Sequence, residues 1–289
     1  MPITEEQREQ RQKHLGSSDM AAIMGLDSWG NAHDVYLEKT GRLDPEKDKA
    51  VFRRGNYMEA ALLAYASDEL GELVVSPTEL EFVMPGLHLC SHPDAMTVDA
   101  RSPVEAKSLG WYAPDFWGDP GSDQCPDRTL IQTHVHMICT DTKLCHVPVY
   151  LPKREFQMYA VEFDEDIGLA VCEAAVAFWN DHVVKDIPPE NVVPSMAVLK
   201  RIRRLPETTA EIAPDLIGRW LNAKDTASDA KKAQTKVQAE LITALGQAEA
   251  GTCPAGMVTY LEQTRKEYVS AETTFRVLRF KKGKSNGKS

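Results

Sequence analysis

The stretch PDAMTVDARSPVEAK, residues 93–107, decides the fold class. Met96-Thr97-Val98 and Val104 to Lys107 read as two short strands. Asp94 lies at the end of the first and Glu105 lies on the second, so antiparallel pairing brings the two carboxylates to one sheet edge. Glu105 and Lys107 are two residues apart and project from the same face. Two carboxylates and the backbone carbonyl of Ala106 make an all-oxygen site suited to Mg²⁺, with Mn²⁺ able to substitute. A lysine beside them can orient an attacking water or stabilise charge on phosphorus. That is the apparatus of metal-assisted phosphodiester hydrolysis. Taken alone, the triplet also fits a surface strand on which Glu and Lys alternate.

The neighbouring segments add to it. The periodicity predicts helices over 4–14, 32–40 and Arg53 to Leu70, the last with Met58, Leu62, Tyr65 and Ala66 as its apolar stripe and Gly71 as its stop. Glu59 sits on that helix, where a third carboxylate would serve a second metal. Arg53 and Arg54 precede it, as phosphate contacts or as a solvated face. Short strands are expected over Glu72 to Ser76, Leu80 to Met84 and Leu87 to Cys90. After a Pro- and Gly-containing loop, Trp111 to Arg128, come a helix over Leu130 to Thr140, strands over Leu144 to Leu151 and Glu155 to Phe163, and a closing helix, Glu165 to Val184. The expected architecture is α/β (α+β), a central mixed sheet flanked by helices. Near the start, Arg11 precedes the small-residue turn Leu15-Gly16-Ser17-Ser18-Asp19, and hydroxyls and amides at a helix start bind phosphate.

Pro188, Pro189 and Pro194 mark a boundary, giving domains of 1–192 and 193–289. The second should hold one or two long Ala- and Lys-rich helices over Pro214 to Ala250, then a hairpin of Met257 to Leu261 with Thr274 to Phe280, then a disordered basic tail. With 289 residues, 43% of them hydrophobic, the chain can bury a core without staples, and collagen-like, mucin-like and fully disordered classes are excluded. There is no unbroken apolar run of membrane-spanning length and the first residues are polar, which points to a cytoplasmic protein. The net charge is −10, yet residues 276–289 carry +6, leaving −16 on the rest. An acidic chain is not coated by nucleic acid, although contacts confined to a groove and offset by metal ions remain compatible.

In order and interval, Arg11, Leu15 to Asp19, Gly55 with Glu59, Pro93-Asp94, Glu105-Ala106-Lys107, Gln132 and Phe178-Trp179 resemble the phage-type alkaline exonucleases. These are the YqaJ viral recombinase and lambda-exonuclease-like family of the PD-(D/E)xK nuclease superfamily, and the resemblance covers about residues 8–190. It implies a restriction-endonuclease-like core and a processive 5′→3′ exonuclease on double-stranded DNA ends. It further implies dependence on Mg²⁺ with two ions per active site, a homotrimeric ring threaded by DNA, and a single-strand annealing partner of the RecT/Beta type, in a phage or prophage setting. By carry-over, Asp94, Glu105 and the Ala106 carbonyl ligate metal, Glu59 serves the second ion, Lys107 positions the water and Gln132 supports the site. Arg11 and Ser18, with Ser17 where relatives carry Gly, make the 5′-phosphate pocket. His134 stands where many relatives have a second Gln.

His88, Cys90 and His92 alternate, and His134, His136 and Cys139 lie close in sequence, but neither group has the spacing of a structural zinc site. The C-terminal third holds Cys253 alone, so no iron–sulfur cluster is expected either. Trp29, Trp179 and Trp220 read as core, whereas Trp111 and Trp117 sit where packing and DNA wedging both fit. Two alternatives to the exonuclease stand: a decayed, DNA-end-binding module, and a structure-specific or end-trimming nuclease.

Overall fold

A computed structural model describes residues 12–44, 50–76, 81–110, 116–152 and 154–264, with the side chains of 50–53 and 56 excepted. All but residues 12–14 of the expected helix over 4–14, with Arg11, the Arg53 side chain, Trp111, the strand over 274–280 and the basic tail, therefore lie outside what is described. The chain divides into two compact units, Met1–Arg204 and Leu205–Ser289.

In chain order the first unit contains α1 (Ser17–Ile23), α2 (Ala32–Lys39), α3 (Ala50–Leu70), β1 (Val74–Val75), β2 (Phe82–Met84), β3 (Leu89–Ser91), β4 (Ala95–Thr97), β5 (Pro103–Val104), β6 (Lys107–Ser108), α4 (Asp127–Thr140), β7 (Leu144–Leu151), β8 (Glu155–Glu162), α5 (Glu165–Phe178) and α6 (Met196–Leu199). The central sheet is mixed, as the sequence implies. β1 pairs with β4 and β4 with β5, both antiparallel; β5 and β6 both run parallel to β7, and β8 closes antiparallel on the other side of β7. β2 and β3 form a separate hairpin, tied to the helical layer where Leu15 N–H donates to the His88 carbonyl and Cys90 N–H to that of Leu15.

Alternation along β7 explains the layers. Cys145, Val147, Val149 and Leu151 share one face and pack with Met137 of α4, Tyr159 and Val161. Across the sheet, Ala66 of α3 packs on Ala95 and Val104. A second core of Leu15, Met20, Val35, Ile131, Val135, Val171 and Phe178 joins α1, α2, α4 and α5. Helix α5 continues through a π-helical stretch, Trp179–Val184. By length and composition that run is apolar enough to cross a membrane, but its Gly168, Val171, Ala175 and Phe178 are buried inside the protein. Gly168 is required by close approach, since a Cβ there would stand 2.4 Å from the Phe163 ring.

Several local expectations are corrected. Pro85–Leu87 is a 3₁₀ turn, because a proline cannot extend the β2 ladder, and the next strand starts at Leu89. The described part of the loop after β6, residues 116–126, is tied to the sheet. Gly121 N–H donates to the Met158 carbonyl and Ala160 N–H to that of Ser122, so the loop covers the open edge of β8. Trp117 is consequently core, 4.8 Å from the Tyr159 ring, and cannot wedge DNA. Trp29 is the reverse: expected in the core, it is 80% exposed. The segment after Pro194 packs on the first unit, with Ser195 N–H on Asp34 and Arg203 N–H on the Arg42 carbonyl.

Among its described residues the second unit contains one helix, α7 (Pro214–Leu245), and a hairpin of β9 (Ala250–Cys253) and β10 (Gly256–Thr259). The hairpin forms one strand earlier than the apolar pattern suggested, across the tight turn at Pro254 and Ala255.

Candidate active site at the edge of the central sheet

Ala95 stands opposite Val104, and that register carried one step further sets Asp94 against Glu105. The expected meeting of carboxylates is thus built by the backbone. The anticipated strand Val104 to Lys107 is interrupted, however. Glu105 N–H still reaches the His146 carbonyl of β7 at 2.9 Å, whereas Ala106 N–H turns to Asp94 Oδ2 at 2.8 Å. The side chain of Asp94 replaces a ladder bond, and the ladder resumes at Lys107 beside Val149.

Lys107 Nζ donates to Glu105 Oε1 at 2.6 Å and to Gln132 Oε1 at 2.8 Å. Gln132, buried on α4, therefore joins the same cluster. Glu59, half-buried on α3, adds its negative charge to the surroundings of Asp94. Burial, then the charge of Glu105 and that of Glu59, push the Asp94 carboxyl well above the ordinary carboxylate range, against Lys107 and the Ala106 amide. Burial also acts to raise Glu105, but Lys107 and His136 together outweigh it and hold that group ionised far into acid. One carboxylate is charged and paired; the other is short of positive charge.

His136 was missed by sequence reasoning, which set it aside with His134. Its Nε2 lies 3.0 Å from Glu105 Oε2, and its Nδ1 lies 2.6 Å from Ser91 Oγ. An ionised carboxylate only accepts, so Nε2 carries the proton. In the neutral ring, Nδ1 then accepts from the Ser91 hydroxyl. The signal was available: His136 is four residues after Gln132, hence on the same helix face. His134, two residues on, faces elsewhere. Its Nε2 accepts from Asp164 N–H and its Nδ1 meets the Leu130 carbonyl, so it anchors the start of α5.

A separate small cleft is lined by Ser17 and Ser18 together with Gly16, Asp19, Lys39 and His92. Asp19 Oδ2 accepts from Gly16 N–H at 2.8 Å and pairs with buried Lys39 at 2.6 Å. His92 links this cleft to Asp94, two residues further along the chain. Arg54 is exposed on α3 and joins neither cluster.

Residues 6–143 match the family described as YqaJ-like viral recombinase domain. The matched region spans α1 to α4, and so Asp94, Glu105, Lys107, Glu59 and Gln132 all lie within it. The chain is also similar to the uncharacterized protein YqaJ of Bacillus subtilis (strain 168), 22% identical over 254 residues that cover 80% of this chain and 76% of that protein. Among solved structures it is similar to an alkaline exonuclease from Laribacter hongkongensis, with 18% identity, a TM-score of 0.48, and coverage of 63% of this chain and 94% of the other. A phage related exonuclease from Haemophilus somnus 129PT gives 11% identity, a TM-score of 0.44, and coverage of 62% and 100%.

Proposed function

We propose that the chain is a metal-dependent nuclease that digests double-stranded DNA from its ends, 5′→3′, leaving 3′ single strands for annealing-type recombination. The observation that carries this reading is the hydrogen-bonded trio of Glu105, Lys107 and Gln132 beside Asp94, which the Ala106 amide holds, inside the region that matches the YqaJ-like viral recombinase domain. The donor set fits a hard divalent cation: two carboxylates at one strand edge with a third, Glu59, close enough to perturb Asp94. Asp94, Glu105 and the Ala106 carbonyl would hold the ion, and Glu59 would serve a second. When bound, Mg²⁺ supplies charge neutralisation at the scissile phosphate and a more acidic water.

The protein's own groups prepare that site. The Ala106 amide fixes Asp94, His136 fixes Glu105 through one oxygen, and Lys107 holds the other. Gln132 and Glu105 take two of the three Nζ hydrogens of Lys107, leaving the third to hold the attacking water. Ser17 and Ser18 offer hydroxyls to a terminal 5′-phosphate in the cleft, and Arg11 is assigned there by its motif. A homotrimeric ring and an annealing partner of the RecT/Beta type complete the reading.

The test is digestion of linear duplexes bearing 5′-phosphate or 5′-hydroxyl ends beside closed circular DNA. End-directed digestion consumes the linear forms, faster with 5′-phosphate, and spares the circle. Cleavage of the circle would make the enzyme an endonuclease, and binding of ends without cleavage would make it a decayed module.

A further inference from the structure

The hairpin of β2 and β3 carries a second cluster, outside the carboxylate site. Phe82 pairs with Ser91, and the same register carried outward sets Glu81 opposite His92. Cys90, two residues before His92, projects from the same face, while Ser91 points the other way, to His136. One ligand atom from each of Glu81, Cys90 and His92 lies within 4.8 Å of the other two. Cys90 is wholly buried and the other two are half-buried. Among the described residues Glu81 Oε1 is buried without a hydrogen-bond partner and lies 3.8 Å from His92 Nε2, while the Cys90 thiol is in hydrogen-bonding contact with the same carboxylate. A buried carboxylate oxygen without a donor is costly, and a cation relieves that cost.

From these contacts we infer that Glu81, Cys90 and His92 hold one zinc ion, with water as the fourth ligand. The ligand types decide the metal. Thiolate and imidazole select zinc or another borderline-soft divalent ion, whereas magnesium requires oxygens throughout. The site is thus chemically orthogonal to that of Asp94 and Glu105. Sequence spacing hid it in two ways. Glu81 comes from the opposing strand, and His88, which alternates with Cys90, does not take part: it is left-handed and stacks on Trp179 at 4.8 Å. A zinc ion here would run against the expectation of no zinc. His92 also lines the cleft of Ser17, Ser18 and Lys39, so the ion would stand in that cleft's wall.

Cobalt(II) is the probe. The full chain, stripped with a chelator, is titrated with Co²⁺ and then with Zn²⁺. One equivalent of Co²⁺ should produce a thiolate-to-metal charge-transfer band and the intense visible bands of a tetrahedral ion, all abolished by one equivalent of Zn²⁺. Cys90→Ser should lose the charge-transfer band, and Asp94→Asn should keep it, whether or not the chain is a nuclease. Should Cys90→Ser fail to fold, His92→Gln decides: zinc affinity, read by competition with a chromophoric chelator, should fall at least tenfold. Absence of the band from the folded wild-type chain, its persistence in folded Cys90→Ser, or unchanged affinity in His92→Gln would overturn the assignment.

Discussion

The edge of the central sheet and the long helix of the second unit use charge in opposite ways. At the sheet edge Glu105, Lys107, Gln132 and His136 are largely withdrawn from water and bound to one another, with Asp94 held beside them by the Ala106 amide. Along α7, 32 residues long, no residue is buried, and ion pairs such as Arg219 with Asp215 lie in solvent. Buried polar groups cost free energy unless each finds a partner, whereas exposed pairs contribute little. A chain retains the first arrangement where chemistry needs preset charge. The second serves helicity and solubility.

Breaking the first region should have the larger consequences. Lys107→Ala should lower turnover at least a hundredfold, because a donor aimed at developing charge is lost. Binding of duplex DNA should remain near wild type in an equilibrium assay. Equal loss of binding and rate would make Lys107 a simple phosphate anchor.

The two carboxylates should differ in the sign of their effect on metal-free stability. Asp94→Asn removes a charge that burial and its neighbours oppose while keeping an acceptor for Ala106 N–H, so the variant should unfold at higher denaturant concentration. Glu105→Gln leaves Lys107 and His136 without their carboxylate and should cost about 2 kcal/mol. Denaturation in chelator reads both.

Much of this site was legible in the sequence. Alternation and a short spacer were enough to set Asp94 against Glu105, and the helical period was enough for α3 and Glu59. What escaped depended on tertiary context. The break at Glu105 and Ala106 arises because a side chain substitutes for a strand partner, which no periodicity records. Trp117 became core only because its loop folds along β8, and Trp29 stayed in solvent, in the turn after α1. Pairing of Gln132 with Lys107 required knowing where α4 crosses the sheet. His136 could have been found, since it shares a face with Gln132.

Acid should weaken the first unit. Burial holds His134 and His146 below the ordinary imidazole value of 6.5. The folded state therefore prefers them neutral, and the unfolded chain binds more protons below that value. Their contribution is fully present above pH 6.5 and is lost as pH falls through it. Urea midpoints should decline from pH 7.5 to about 5.5, less steeply in a variant carrying His134→Gln and His146→Gln. The smallest effect belongs to the second region. Val237, 54% exposed on α7, should tolerate Ala within about 0.5 kcal/mol in the same assay.

If Asp94 and Glu105 form the proposed site of phosphodiester hydrolysis, release of nucleotides from a linear duplex with a 5′-phosphate should depend on both. Measured with and without Mg²⁺, the wild type should show Mg²⁺-dependent release, and Asp94→Asn and Glu105→Gln, each shown to be folded, should release nucleotides only at background. Mg²⁺-dependent release by either variant at a rate near wild type would remove that residue from the site.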